Sequence, residues 1–260
     1  MEKSAEMGAK SLQKRLERGE RLIGAWACAG SALTIEALAD LPFDFVVMDL
    51  QHGELDLRAL LHVLPVFRSS LAVPIVRMLD HSAGDMGRVL DFGVEAVIVP
   101  NVNTPEVARH CIAAMHYAPF GVRSFGPMRT AHLRLPHGVL RKEAPVPIVQ
   151  IETAEGLQNL DAILQTPGLG AAFIGPHDLH ISMGLSQVSD LAPTVKTIVS
   201  RCQQYRVPLG SMAEKAEDAK RWLDLGVQFV SVLVDSELLK SAAKELLSAF
   251  EPSRSVGLNT

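Results

Sequence analysis

Eight short apolar runs, separated by longer stretches of helical period, pace this chain of 260 residues. The runs are Arg21 to Cys28, Phe43 to Asp49, Val73 to Arg77, Glu95 to Val99, Val146 to Glu152, Ala171 to Gly175, Val207 to Gly210 and Gln228 to Val234. Helical period marks segments such as Glu36 to Ala39, Asp56 to Arg68, Ser82 to Phe92 and Pro105 to Met115. Strand and helix in regular alternation is the pattern of parallel strands joined by helical crossovers. Several helices end at Gly before the next strand, as at Phe92-Gly93 and Leu225-Gly226, the usual helix stop. Eight such units in a chain of this length predict one α/β domain, a closed (β/α)8 TIM barrel. A doubly wound open sheet is the alternative. A charged helix is expected over residues 1–20, and a helix with a polar tail over 235–260. The Gly/Pro/Arg-rich connection from Pro119 to Leu140 is too long for a plain link and is expected to be functional or an interface.

Composition narrows the functional classes. A net charge of −4 without long runs of one sign gives no footing for a nucleic acid or an anionic membrane. No apolar run approaches the roughly 20 residues of a membrane span, and the first twenty residues lack the apolar core of a signal peptide. Cys28, Cys111 and Cys202 lie far apart, which argues against a disulfide framework or a structural zinc site. These features predict a cytoplasmic protein.

In a (β/α)8 barrel the chemistry is built at the C-terminal ends of the strands, and here those ends are polar. Asp49, Gln51 and His52 follow the second run, and Arg77 ends the third. Gln150 and Glu152 share one face at the end of the fifth, and Gly175-Pro176-His177-Asp178 follows the sixth. Glu152 and Asp178 suit a hard divalent cation with positions left open for substrate oxygens, although each could instead cap the helix beside it. Asp49 beside His52 suggests an oriented general base, with a polar loop as the plainer reading. Arg77 closes an otherwise apolar strand, so it should bind an anion or sit in an internal salt bridge, to Asp49 or Asp91. None of Lys3, Lys10, Lys14, Lys142, Lys196, Lys215, Lys220, Lys240 and Lys244 falls within a predicted strand. An aldolase built this way would stabilise its enolate with a metal and not with a Schiff base. Nucleotide-binding loops and a nucleophile elbow are absent from the sequence.

Five motifs occur in order: Asp49-Leu50-Gln51-His52-Gly53, Val73-Pro74-Ile75-Val76-Arg77, Pro119-Phe120-Gly121-Val122-Arg123, Val149-Gln150-Ile151-Glu152-Thr153 and Phe173-Ile174-Gly175-Pro176-His177-Asp178-Leu179. Together they resemble the HpcH/HpaI aldolase family, the metal-dependent class II pyruvate aldolases, over Leu22 to Phe250. The resemblance implies a lyase that cleaves a 4-hydroxy-2-oxo acid to pyruvate and an aldehyde. It implies Mg²⁺, Mn²⁺ or Co²⁺ on Glu152 and Asp178, with Arg77, Gln150, Gly175, Pro176 and Asp178 lining the keto-acid site. It makes His52 the base, with Asp49 orienting it, and places Asp91 near a subunit interface. It further implies a homo-oligomer, a trimer or hexamer, that exchanges C-terminal helices. Many relatives have Glu where Gln51 stands, a small residue for His177 and Ser for His180, so the aldehyde stays open between succinic semialdehyde of aromatic catabolism and a sugar-derived one. A CoA-ester lyase of the citrate-lyase-β or malyl-CoA type and a non-catalytic keto-acid-binding barrel are the alternatives.

Overall fold

The computed structural model describes residues 11–126, 128–129, 145–213 and 215–250. Eight parallel strands close on themselves in sequence order: β1 (Leu22–Ala27), β2 (Phe45–Asp49), β3 (Val73–Arg77), β4 (Ala96–Val99), β5 (Val146–Ile151), β6 (Ala171–Ile174), β7 (Leu209–Met212) and β8 (Phe229–Val234). The predicted barrel is the observed one. β7 begins two residues later than expected, for a local reason. Arg206 caps the preceding helix in the left-handed conformation, and the Val207 N–H closes back on Cys202 O at 2.8 Å. Pro208 has no N–H to give, so pairing starts with its carbonyl, which accepts from Ala172 N–H at 2.9 Å. The sheet closes where β1 meets β8, with a register shift between Gly24 and Trp26.

The strands carry two cores. Outward residues pack beneath the helices around the barrel. Inward ones, among them Trp26, Phe45, Ile75, Ile98, Phe173 and Phe229, fill the interior. Three of those rings meet in series, Phe45–Phe229 at 5.9 Å and Phe229–Phe173 at 5.8 Å between centroids. Glycine makes room for them. A Cβ on Gly24 would lie 2.2 Å from the Phe45 ring, and one on Gly210 would lie 2.3 Å from Phe229.

Among the helices needed below, α1 is Leu12–Glu17, α2 Ala32–Asp40, α3 Leu57–Val63, α4 Ala83–Asp91 and α5 Pro105–Met115. After β5 come α6 (Ala154–Gln158) and α7 (Leu160–Leu164), after β6 α8 (Pro176–Ser182), then α9 (Ala192–Tyr205), α10 (Ala216–Leu225) and, after β8, α11 (Asp235–Ser248). The predicted helix at Glu36 is longer on its N-terminal side because Ser31 caps it, its hydroxyl accepting from Thr34 N–H.

The described part of the N-terminal segment plugs one end of the barrel. Leu12 and Leu16 of α1 belong to the interior core. Arg15 binds Asp44 at 2.6 Å, Gln228 Nε2 donates to Leu16 O at 2.8 Å, and Leu12 N–H donates to Glu95. Asp44, Glu95 and Gln228 all stand just before strands. The N-terminal mouth is therefore sealed, and the C-terminal mouth is left for chemistry. At the other end of the chain, α11 buries only Asp235. Leu238, Leu239, Leu246, Leu247 and the following Phe250 are all more than half exposed. Residues 251–260, most of the Pro119–Leu140 connection and residues 1–10 lie outside the described residues.

Candidate active site

Asp49 and Arg77 are register partners at the last paired position of β2 and β3. Inward alternation brings both side chains into the C-terminal mouth, where Asp49 is fully buried and Arg77 6% exposed. Arg77 grips the carboxylate with two donors, Nε to Oδ1 at 2.9 Å and Nη2 to Oδ2. The guanidinium also lies over the Trp26 ring, 4.9 Å from its centroid, and Trp26 Nε1 donates to Asp49 Oδ2 at 3.1 Å. Burial raises the Asp49 carboxyl, but the hydrogen bond and charge of Arg77, with the N–H groups of Trp26 and Gln51, outweigh it and hold it below the usual carboxylate range. Of the readings open to Arg77, the internal salt bridge to Asp49 is present, made through Nε and Nη2. Asp91 is bound instead by Arg123.

Asp49 meets His52 differently from the expected orienting contact on the ring. Its Oδ1 accepts the backbone N–H of Gln51 at 2.9 Å and of His52 at 3.3 Å. Those bonds shape the turn after β2, while the imidazole itself is exposed. The cause is competition: Arg77, Trp26 and two backbone amides already fill the lone pairs of a buried carboxylate. Cys28 Sγ joins them at 3.5 Å from Oδ2. Burial first, and Asp49's charge next, push that thiol up to about 12, so it stays protonated.

Two strands further round the barrel, β5 carries Gln150 and leads into Glu152, both 2% exposed. Gln150 Nε2 donates to Glu152 Oε2, and Asn101 N–H donates to Oε1 at 2.6 Å. Capping is not the job of Glu152, because Thr153 caps α6, its Oγ1 accepting from Gly156 N–H at 2.9 Å. Gly175 lies against this pair: a Cβ there would stand 2.6 Å from both Gln150 Nε2 and Glu152 Oε2. Asp178 follows in the first turn of α8 and is exposed. α8 is tied to α6 by Ala154 N–H donating to Ser182 Oγ at 2.9 Å. Burial raises the Glu152 carboxyl to about 7, and Asp178's charge adds to the rise, while Asn101, Arg77 and Gln150 offset only part of it.

That shift has a consequence for the metal-free protein. Glu152 ionises near 4.5 when unfolded and near 7 when folded, so the folded state holds the extra proton between those values. Its contribution is present below the lower value and is lost as pH rises through the upper one, at most about 3 kcal/mol. Asp49, shifted down, contributes with the opposite sign and only at lower pH. Melting of chelator-treated protein should therefore drop between pH 5 and 7.5, and Glu152→Gln should flatten the slope. An unchanged slope in the variant would place the titration elsewhere.

Residues 22–242 match the family described as HpcH/HpaI aldolase/citrate lyase. The chain belongs to this family. It is 33% identical to a 2-dehydro-3,6-dideoxy-6-sulfogluconate aldolase of Pseudomonas putida, over 91% of this chain and 95% of that one. It is 32% identical to a 5-keto-4-deoxy-D-glucarate aldolase of Salmonella arizonae, over 88% and 92%. A crystal structure of a HpcH/HpaI aldolase/citrate lyase family protein from Burkholderia cenocepacia superposes with a TM-score of 0.85 at 27% identity, covering 92% of this chain and 98% of that one. The present HpcH/HpaI family member is thus an enzyme of the aldehyde-lyase type.

The structure adds Trp26, Asn101, Cys28 and Asp235 to the residues singled out from the sequence. Trp26 carried a signal, since Leu22, Gly24 and Trp26 alternate inward on β1. Asn101 follows β4, a strand whose apolar run closes in Pro100, and nothing in the sequence marks its backbone N–H. Asp235, 8% exposed, accepts from Cys28 N–H and Ser236 N–H, both at 2.8 Å, a pairing invisible across 207 residues of sequence.

Proposed function

We propose that this family member is a class II aldolase that reversibly cleaves a 4-hydroxy-2-oxo acid of the sugar-acid type to pyruvate and an aldehyde, using a divalent cation held by Glu152 and Asp178. The observation that supports this reading is that two polar pairs share one mouth: the Arg77–Asp49 pair on β2 and β3, and the Glu152–Gln150 pair at the end of β5, near enough for the Arg77 charge to act on Glu152. The sugar-acid choice rests on the two curated relatives, both aldolases of such compounds. Lysine supports it from the other side. Every described lysine is exposed and off the strands, so none is placed for a Schiff base.

The residues present fit a hard cation. Glu152 and Asp178 are oxygen donors, and the raised Glu152 carboxyl records a negative charge that burial disfavours and a cation would compensate. Among the described residues no cluster of three or more His, Cys, Asp and Glu could hold a metal, which leaves the other positions to substrate oxygens and water. Gln150 Oε1 is buried without a partner, a polar atom suited to a bound ligand. When bound, the cation supplies Lewis-acid stabilisation of charge on the keto oxygen.

The rest of the chemistry belongs to the chain. Arg77, locked by Asp49 and Trp26, holds a fixed positive charge where the enolate develops as the C3–C4 bond breaks. The backbone at Gly175–Pro176 receives the pyruvate carboxylate, and the missing Cβ of Gly175 leaves room for the Gln150–Glu152 pair beside it. His52 takes the proton from the C4 hydroxyl. The apolar stripe of α11 is read as the face exchanged between subunits of a trimer or hexamer. No helix among the described residues is long and apolar enough to cross a membrane, consistent with a cytoplasmic enzyme.

Pyruvate release from a panel of 4-hydroxy-2-oxo sugar acids tests the proposal. Exhaustive chelation should abolish release, and Mg²⁺, Mn²⁺ or Co²⁺ should restore it. Full activity after chelation would overturn the metal assignment.

A further inference from the structure

We propose that Asn101 is a positioning residue for Glu152, presenting its backbone N–H to the carboxylate from a left-handed turn that His81 fixes in place. This rests on the metal-site reading of Glu152. Among the described residues only Asn101 and Arg206 combine a side chain with positive φ, 53° and 57°. Arg206 terminates a helix, where that conformation is ordinary. Asn101 does not. It sits in the loop between β4 and α5, its side chain exposed and without a hydrogen bond among the described residues. What the conformation achieves is the 2.6 Å bond from its N–H to Glu152 Oε1. Asn is among the few residues that tolerate it.

The loop is braced on both sides of that bond. The buried Pro100 lends its carbonyl to His81 Nε2 at 2.7 Å, and His81 belongs to the loop that follows Arg77. Beyond Asn101, Val102 N–H donates to Gln150 O at 3.4 Å. Asn103 Oδ1 then accepts from Thr153 Oγ1 at 2.5 Å, and Asn103 O accepts from Asn159 Nδ2 at 2.8 Å. Thr153 is the neighbour of Glu152, so the loop holds the carboxylate and its own backbone together. With Gln150 on Oε2 and Asn101 on Oε1, each oxygen has one fixed donor, which sets the plane of the group and the direction of its remaining lone pairs. Outer partners of this kind set the orientation of metal ligands and commonly carry 10- to 100-fold in affinity.

The test is Mn²⁺ binding to the full-length chain, followed by the electron paramagnetic resonance signal of free Mn²⁺, with kcat and KM measured at saturating metal. Asn101→Val, which cannot adopt positive φ without strain, should weaken Mn²⁺ binding by about 10- to 100-fold. Asn101→Gly keeps the N–H and takes that φ freely, so it should stay within about twofold. His81→Ala should weaken binding by about tenfold, and His81→Gln, which keeps a donor, should recover part of it. Saturating metal should restore most of kcat in each variant. If Asn101→Val fails to fold, the His81 pair and Asn101→Gly still decide. Wild-type affinity in both Asn101→Val and His81→Ala, or equal losses in the valine and glycine variants, would overturn the inference. Absence of Mn²⁺ binding to the wild-type chain would instead overturn the metal-site reading on which it stands.

Discussion

Arg77→Ala should lower kcat for aldol cleavage by about 10²- to 10³-fold, the cost of removing a fixed group from a developing oxyanion. Oxaloacetate decarboxylation should fall in parallel, because it too passes through the pyruvate enolate without needing a C4 hydroxyl. The same substitution strips both guanidinium bonds from a fully buried Asp49. Breaking such a pair costs about 3 to 5 kcal/mol, and the donors left on Asp49 from Trp26, Gln51 and His52 favour the lower end. A fall in melting temperature of about 6 to 12 °C is then expected. Arg77→Lys separates chemistry from folding. It keeps the charge but loses the two-pronged grip and the stacking on Trp26, so it should melt closer to wild type and still lose most of kcat. Normal decarboxylation in either folded variant would remove Arg77 from the enolate step.

His52→Ala should behave in the opposite way. The imidazole is exposed and its backbone N–H, not its ring, meets Asp49. Stability should therefore stay within about 0.5 kcal/mol of wild type. Aldol cleavage should drop by about 10²- to 10⁴-fold, the range for loss of a general base. Decarboxylation of oxaloacetate should suffer less, since no hydroxyl proton has to leave. The ratio of aldolase to decarboxylase kcat/KM in the His52 and Arg77 variants is the deciding measurement. Equal losses of both activities in His52→Ala would make His52 a structural or metal-shell residue and move the base elsewhere.

The barrel was legible because its cause is local and repeated. A buried parallel strand must be a short apolar run, a crossover helix must show a 3.6-residue period, and Gly stops recur between them. Strand ends were therefore readable to within two residues, and with them the rim positions of Asp49, Arg77, Gln150, Glu152 and Asp178. β2 begins two residues later than expected, and β7, shifted by two residues at both ends, was moved by a left-handed helix cap and a proline whose combined effect depends on the ladder partner in β6.

What the sequence could not settle is which partner each polar group chooses. Asp49 is three residues from His52 and twenty-eight from Arg77, yet register across β2 and β3 gives its carboxylate to the arginine. Glu152 stands beside a helix start that needs a cap, yet Thr153 takes that task and frees Glu152 for the mouth. Asn101 carries no mark in the sequence, because its contribution is a backbone N–H aimed by an unusual φ, and any residue type has that N–H. Local pattern fixes where a side chain sits along a strand and which face it takes. Only closure of the barrel fixes which groups from separate strands compete for the same few hydrogen bonds, since burial makes every unpaired polar group costly and forces one solution for the whole mouth.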